Sequence, residues 1–375
     1  MRLGIIVLTA TVAFACSWDY PIWIPRSKSA DPLYRFIKND QAGYIDRNGR
    51  VVIPPKLKAW GNYGSEFHDG LLEIAVSDGV YVDQTGKVVI DKGLYRGWDF
   101  SEGLAVAMRK GENLWGYIDS SGEFAISPRF AWGVDDYVWP FEDGLAKIKV
   151  KGKVGYIDHS GEFVIKPQFL DGIEFSDGMA RVVTEGPCVY FPDKGCGFAN
   201  PEYVGGREEG KQTPCRFTFI DKTGRVITQE RFDYAHDFSE GLAPVRIGSL
   251  WGFIDKTGAL VVSPRFDGAE PFSSSLSRIQ QHGSYGYADR SGAIRIAPQY
   301  KYADDFSEGF AVVGDRPDHY WYINQQGKRT IPGEFAAASP FFKGLAHVRL
   351  LQKDDPKSHE GFAYIDTTGR RVFTY

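Results

Sequence analysis

Apolar residues alternate with small or polar ones in runs of a few residues, and the runs recur in a fixed order. Leu104-Ala105-Val106-Ala107-Met108 is one such run, followed after a short turn by Trp115-Gly116-Tyr117-Ile118-Asp119 and then by Phe124-Ala125-Ile126. Period-2 alternation bounded by Gly, Asp and Pro predicts strands, and strands this close in sequence predict an antiparallel meander. The second and third runs are joined by Asp-x-x-Gly. Asp suits that turn because its carboxylate accepts from amides two residues on, and Gly because it tolerates positive φ. Pro128-Arg129-Phe130 follows, proline ending the ladder. The connector to the next unit closes on Phe-Ser-Glu-Gly, as in Phe100-Ser101-Glu102-Gly103 and Phe306-Ser307-Glu308-Gly309.

This unit repeats along nearly the whole chain. The turn returns as Asp46…Gly49, Asp83…Gly86, Asp119…Gly122, Asp158…Gly161, Asp221…Gly224, Asp255…Gly258, Asp289…Gly292, Asn324…Gly327 and Asp366…Gly369. A step of roughly 34 to 41 residues, apart from one long interval around the Cys-bearing insertion, predicts a solenoid, a propeller or an array. The predicted fold is therefore all-β, a tandem array of about nine three-stranded antiparallel β-meander repeats. A three-stranded meander buries its faces only by stacking on its neighbours. The first unit opens on its own first strand (Leu33 to Ile37) and the last ends on its own third strand (Arg370 to Thr374). The ends thus share no unit, and nine exceeds the usual blade count, so an open or curved solenoid is expected ahead of a closed β-propeller.

The combination of W/G-Y-I-D-x-x-G, V-I-x-P-x-F and F-S-x-G-L-A at fixed spacing resembles the WG-repeat family over about residues 34 to 375, with Trp-Gly itself at Trp115-Gly116 and Trp251-Gly252. The resemblance implies an envelope or surface repeat protein, an interaction scaffold with no reaction of its own. The domains expected are 1–15, a signal peptide; 16–32, a leader; 33–184, repeats one to four; 185–215, a Cys-containing insertion; and 216–375, repeats five to nine.

The N-terminus carries targeting features. Arg2 precedes an uncharged run from Leu3 to Ala15, too short to span a bilayer, and Ala13-Phe14-Ala15 supplies small residues for a secretory cleavage. Export is the expectation: periplasmic, outer-membrane lipoprotein or secreted. Cys16 then falls where bacterial lipoproteins are acylated, so it is the lipidation candidate, and a lipid there is the one membrane attachment expected. The other cysteines, Cys188, Cys196 and Cys215, sit in the insertion and are disulfide candidates in an oxidising compartment.

Charge and motifs narrow the chemistry. Forty-four Lys+Arg against 48 Asp+Glu leave no basic excess for phosphate, which argues against a nucleic-acid partner. Zincin, nucleophile-elbow, Walker, dinucleotide and EF-hand motifs are missing from the sequence, so no cofactor, metal or catalytic residue is assigned. A hydrolase would need carboxylates on non-repeated positions, such as Asp135 and Asp136 with Asp171. The recurring turn aspartates are structural. The acidic residues before glycine (Glu102, Asp143, Asp177, Glu240, Glu308) are read as type I turn residues rather than calcium ligands, and the scattered histidines as solvated turn residues.

Function is expected where units depart from the repeat. The hairpin tip between first and second strands grows between Glu185 and Cys215 and again over Gln352–Glu360, and tips of a repeat array share one face. Tyr190, Phe191, Phe198 and Tyr203 in the larger tip suit an interface. The second departure is aromatic: units two and three carry Trp98 and Trp139, with Tyr95, Trp132 and Tyr137 nearby, and unit one carries Trp60 and Tyr63. Such rings stack on sugars or peptide side chains. The function expected is a non-enzymatic extracytoplasmic scaffold binding a protein or glycan of the cell envelope, the alternative being a lectin-like polysaccharide-binding module.

Overall fold

The computed structural model describes residues 32–58, 66–75, 79–133, 135–185, 216–228, 232–351 and 361–375. All the regular structure among them is β, in antiparallel sheets of mostly three or four strands. The all-β array of meander units is as expected. The fourth unit shows the plan. Leu145–Val150, Lys153–Ile157 and Phe163–Phe169 are the three expected strands, A, B and C, and Tyr137–Glu142 adds a fourth on the edge of strand A away from strand B. Most units carry this extra connector strand, some as a two-residue pair such as Asp171–Gly172 or Gly268–Ala269. A three-stranded unit is thus a four-stranded blade wherever the connector pairs. The connector amides need acceptors, and strand A supplies them: Ile173 donates to the Arg181 carbonyl (3.0 Å) and His236 to that of Pro244 (3.0 Å).

Two turns set each blade's register. In the Asp-x-x-Gly turn, Asp158 Oδ1 accepts from the Ser160 and Glu162 amides (2.9 and 3.2 Å) while Gly161 takes φ +85°. Hydrogen bonds from Ser160 hold the Asp158 carboxyl below the usual range. The turn between connector and strand A differs from the type I form expected. Its central residues both have positive φ (Asp177 +53°, Gly178 +81°; Glu102 +54°, Gly103 +84°), which is a type I′ turn. That form matches the twist of a two-residue hairpin, whereas type I would splay the strands.

Blades pack face to face with aromatic and aliphatic layers between them. Tyr117 of the third blade is buried and its hydroxyl donates to the Trp139 carbonyl of the fourth blade's connector (2.7 Å). Tyr156 does the same to Ile173 and Tyr287 to Asp304 (2.7 and 2.6 Å). The connectors also bond to one another: Ser101 Oγ donates to the Phe141 carbonyl, Ser239 Oγ to Phe272, and Ser307 Oγ to Phe341, each at 2.6 Å. Strands that touch their counterparts in neighbouring blades this directly form the inner ring, and strand C, with Val164, Val261 and Ile294 exposed, forms the rim.

The curvature expected of the array runs on until its ends meet. Tyr364 of the ninth blade, at the strand-B position whose tyrosine bonds a neighbouring connector in several other blades, donates to the strand-A carbonyl of Arg35 in the first. Tyr34 donates to the Lys343 carbonyl (2.7 Å), and Tyr34, Phe36, Ile45, Leu345 and Tyr364 form one buried cluster. These contacts bring the two ends of the curved array together, so that the nine meander units among the described residues form a propeller-like ring. Among the described residues no blade is shared between the chain ends, which meet in a seam of side chains.

Candidate functional site

The described strand ends that flank the two insertions lie on one face of the ring. Glu185 pairs with Arg216 across the base of the first, and Arg349 with Phe362 across the base of the second, at the tips between strands A and B. Tyr190, Phe191, Phe198 and Tyr203, cysteines 16, 188, 196 and 215, and Trp60 and Tyr63 lie outside the described residues.

The remaining sequence candidates come together on that same face. Trp132 follows Phe130, whose backbone pairs with Trp115 at the tip end of strand B, and Tyr137 pairs with Lys149 at the tip end of strand A. Trp98 sits against Trp132 (ring centroids 5.5 Å) and Trp139 (5.4 Å), and Trp132 lies parallel to Trp139 at 6.0 Å with an interplanar angle of 4°. Tyr137 borders Trp139 at 5.1 Å. Trp115, buried and not foreseen as part of the group, is its floor, 5.5 Å from Trp132. Trp98, Tyr137 and Trp139 are partly buried, so much of the aromatic surface is spent on mutual packing. Trp132 remains 47% exposed and presents the open indole face.

Charge surrounds this plate. Lys147 Nζ lies 4.7 Å over the Trp139 ring and 2.9 Å from the Glu174 carboxylate, and Lys149 Nζ lies 5.3 Å over Tyr137. Asp171 Oδ1 accepts from the Tyr137 hydroxyl (3.2 Å) and Asp136 Oδ1 from the Lys151 amide (2.8 Å). Asp136 and Asp171 therefore hold the walls of the aromatic group. The plate can offer CH–π and apolar stacking with ionic groups at its edge.

The connectors place further titratable groups on the inner ring. Burial, with Glu174 and Asp237 adding negative charge, pushes the Glu142 carboxyl up to about 9. Burial also lowers His236 to about 3 and His347 to about 4. His236 stacks on Trp251 (4.9 Å), His347 on Phe362 (5.3 Å), and His68 is buried, so these three are packing residues rather than the solvated turn histidines expected. The acidic residues before glycine bond to the next blade: Glu102 accepts from the Gly144 amide (3.0 Å) and Glu308 from Gly344 (2.8 Å). Among the described residues, no three His, Cys, Asp or Glu side chains are placed to hold a metal ion.

Comparison with known proteins agrees with this architecture. A family model described as "WG containing repeat" matches eight segments, residues 43–66, 81–112, 115–153, 155–186, 217–251, 251–284, 285–314 and 322–353. No curated protein matches the chain in sequence. Among solved structures, one titled as the crystal structure of the eukaryotic initiation factor is 11% identical, with a TM-score of 0.59 over 92% of this chain and 96% of that one. At that identity the likeness shows the fold alone. BamB from Moraxella catarrhalis (10% identity, TM-score 0.37, 86% of this chain and 90% of that one) and apo AztD from Citrobacter koseri (11%, 0.40, 92% and 93%) are more distant in shape.

Proposed function

This chain belongs to the WG containing repeat family, and we propose that it acts outside the cytoplasm as a non-enzymatic scaffold that holds a protein partner of the cell envelope on its tip face. The supporting observation is the half-exposed Trp132, set parallel on Trp139 and walled by Lys149 and Tyr137, on the face where the strand ends flanking both insertions lie. Large aromatic side chains fixed in place carry much of the energy at interfaces, and a pre-packed ring loses little entropy when a partner covers it. Export through residues 1–15, acylation or free secretion at Cys16, and a disulfide among Cys188, Cys196 and Cys215 belong to the same reading.

A lectin-like reading draws on the flatness of the plate. Parallel indoles with charged groups at the edge suit the apolar face of a sugar ring. The two are separated by capture from envelope extract with the full chain, its Trp132→Ala variant, and a version with residues 186–214 replaced by a short Gly/Ser turn. The scaffold reading expects a specific protein retained by the parent and lost with Trp132→Ala at an unchanged melting temperature. Retention of the same polysaccharide by parent and loop variant, lost only with Trp132→Ala, would replace it with the lectin reading. A set of retained molecules identical for all three proteins would overturn both.

A further inference from the structure

The repeat carries an internal charge rule between neighbouring blades. The third residue of strand A faces the residue just before the connector phenylalanine of the next blade. Where the first is a cation the second is a carboxylate: Lys147 Nζ lies 2.9 Å from Glu174, Arg278 Nε 3.1 Å from Asp305, and Arg181 stands beside Asp237, bonded to the Ala235 carbonyl of the same connector. Where the first is uncharged the second is proline, as Val106 with Pro140, Pro244 with Pro271, and Val312 with Pro340.

One interface breaks the rule. Between the second and third blades the strand-A residue is Glu73 and its counterpart is Asp99, an acid facing an acid. Glu73 is opposite Tyr81 in the ladder, and the Tyr81 hydroxyl donates to the Trp98 carbonyl (2.7 Å), so both side chains reach the third blade's connector. Glu73 is only 6% exposed, yet its Oε1 has no hydrogen-bond partner. Asp99 has His68 Nε2 at 3.7 Å and its side chain is 41% exposed, so the gap opens to solvent. A buried carboxylate oxygen without a donor is costly, and in three other blades a Lys or Arg of strand A stands opposite the carboxylate.

We propose that this gap binds a ligand-borne organic cation, a primary ammonium or guanidinium, in the place that the Lys147, Arg181 and Arg278 side chains hold in their own blades. Two facing carboxylates, one of them with a buried oxygen that has no donor, suit a single N–H-rich head group. With the gap empty, burial and the Asp99 charge push the Glu73 carboxyl up to about 8. The other ionisable groups facing it are Glu66 and His68 on the second blade's connector and Tyr81 on strand B. A bound cation therefore displaces a proton from Glu73, and binding strengthens as pH rises through about 8.

The test is the thermal melt of the full chain titrated with 1,5-diaminopentane and, separately, with the peptide Gly-Lys-Gly, against sodium chloride at matched ionic strength. A saturable rise in melting temperature is expected, about a hundredfold tighter at pH 9 than at pH 6. A response to the diamine identifies a free amine as sufficient; a response to the peptide alone identifies a lysine side chain of a partner. Glu73→Lys restores the repeat's own pair, so it should melt higher than the parent without ligand and lose the response. Asp99→Asn should weaken the midpoint at least tenfold, and it serves if Glu73→Lys does not fold. No saturable shift from either probe, or an equal shift in the variants, overturns the proposal.

Discussion

Glu142 shows how a single side chain records its place in the ring. Burial and the facing carboxylates Glu174 and Asp237 disfavour its charged form, so its carboxyl stands near 9 in the folded protein. In the unfolded chain it titrates near 4.3. Between these values the unfolded state loses the proton first, so stability falls as pH rises from about 4.5 to about 9 and is unaffected below that window. Glu142→Gln should flatten this fall, gaining on the order of 2 kcal/mol over the parent at pH 9 and nothing at pH 4, as read by urea denaturation. Equal pH dependence in both proteins would refute the assignment. At this scale the sequence was legible where chemistry is local. The turn aspartates and their glycines act within four residues of themselves, and the structure places them as read. His68, His236 and His347 were misread because they pack on residues brought to them by strand pairing, such as Trp251 and Phe362, which no local pattern signals.

The blade explains the glycine of the Trp-Gly dipeptide. A Cβ on Gly155 would stand 2.5 Å from the Ile165 carbonyl oxygen and 2.6 Å from the Pro167 nitrogen, and one on Gly286 would meet Ile296 and Pro298 in the same way. Strand C bulges across strand B at this point, in a register that shifts between Val154 and Tyr156, and its backbone has no room to withdraw. Gly155→Ala should therefore cost about 2 kcal/mol or more, seen as a lowered melting temperature, while alanine at the uncrowded Gly133 should leave it unchanged. Strands A, B and C were visible in the alternation of the chain. The connector strand was not, because a pair such as Asp171–Gly172 is too short to alternate. The type I′ form of its turn follows from that same missed hairpin. The aromatic group was legible as a departure from the repeat, but its floor, Trp115, was hidden because it belongs to the repeat's own Trp-Gly signature.

At the scale of the molecule, closure depends on side chains rather than on a shared blade. Phe36 of the first blade meets Phe373 and Tyr375 of the last at 5.0 and 5.8 Å, and Val372 packs where the first Asp-x-x-Gly turn comes round. The repeat made the array legible, whereas the meeting of its ends rests on contacts more than three hundred residues apart, of which Tyr364 to Arg35 is one. Tyr364 stands in the strand-B position that bonds the following blade, and it finds that blade at the start of the chain. Closure also fixes the tip face as a complete circle and the connectors as an inner ring, so the proposed surface and the Glu73–Asp99 gap share one rigid frame. The most direct test is a distance between spin labels on Cys variants of Arg50 and Arg371, in a chain with its native cysteines replaced, measured by double electron–electron resonance. The ring predicts a narrow distribution below about 30 Å, since the neighbouring residues Gly49 and Val372 are in contact. Nine blades stacked about 10 Å apart in an open array would hold the labels roughly 80 Å apart, and a distribution centred there would contradict closure.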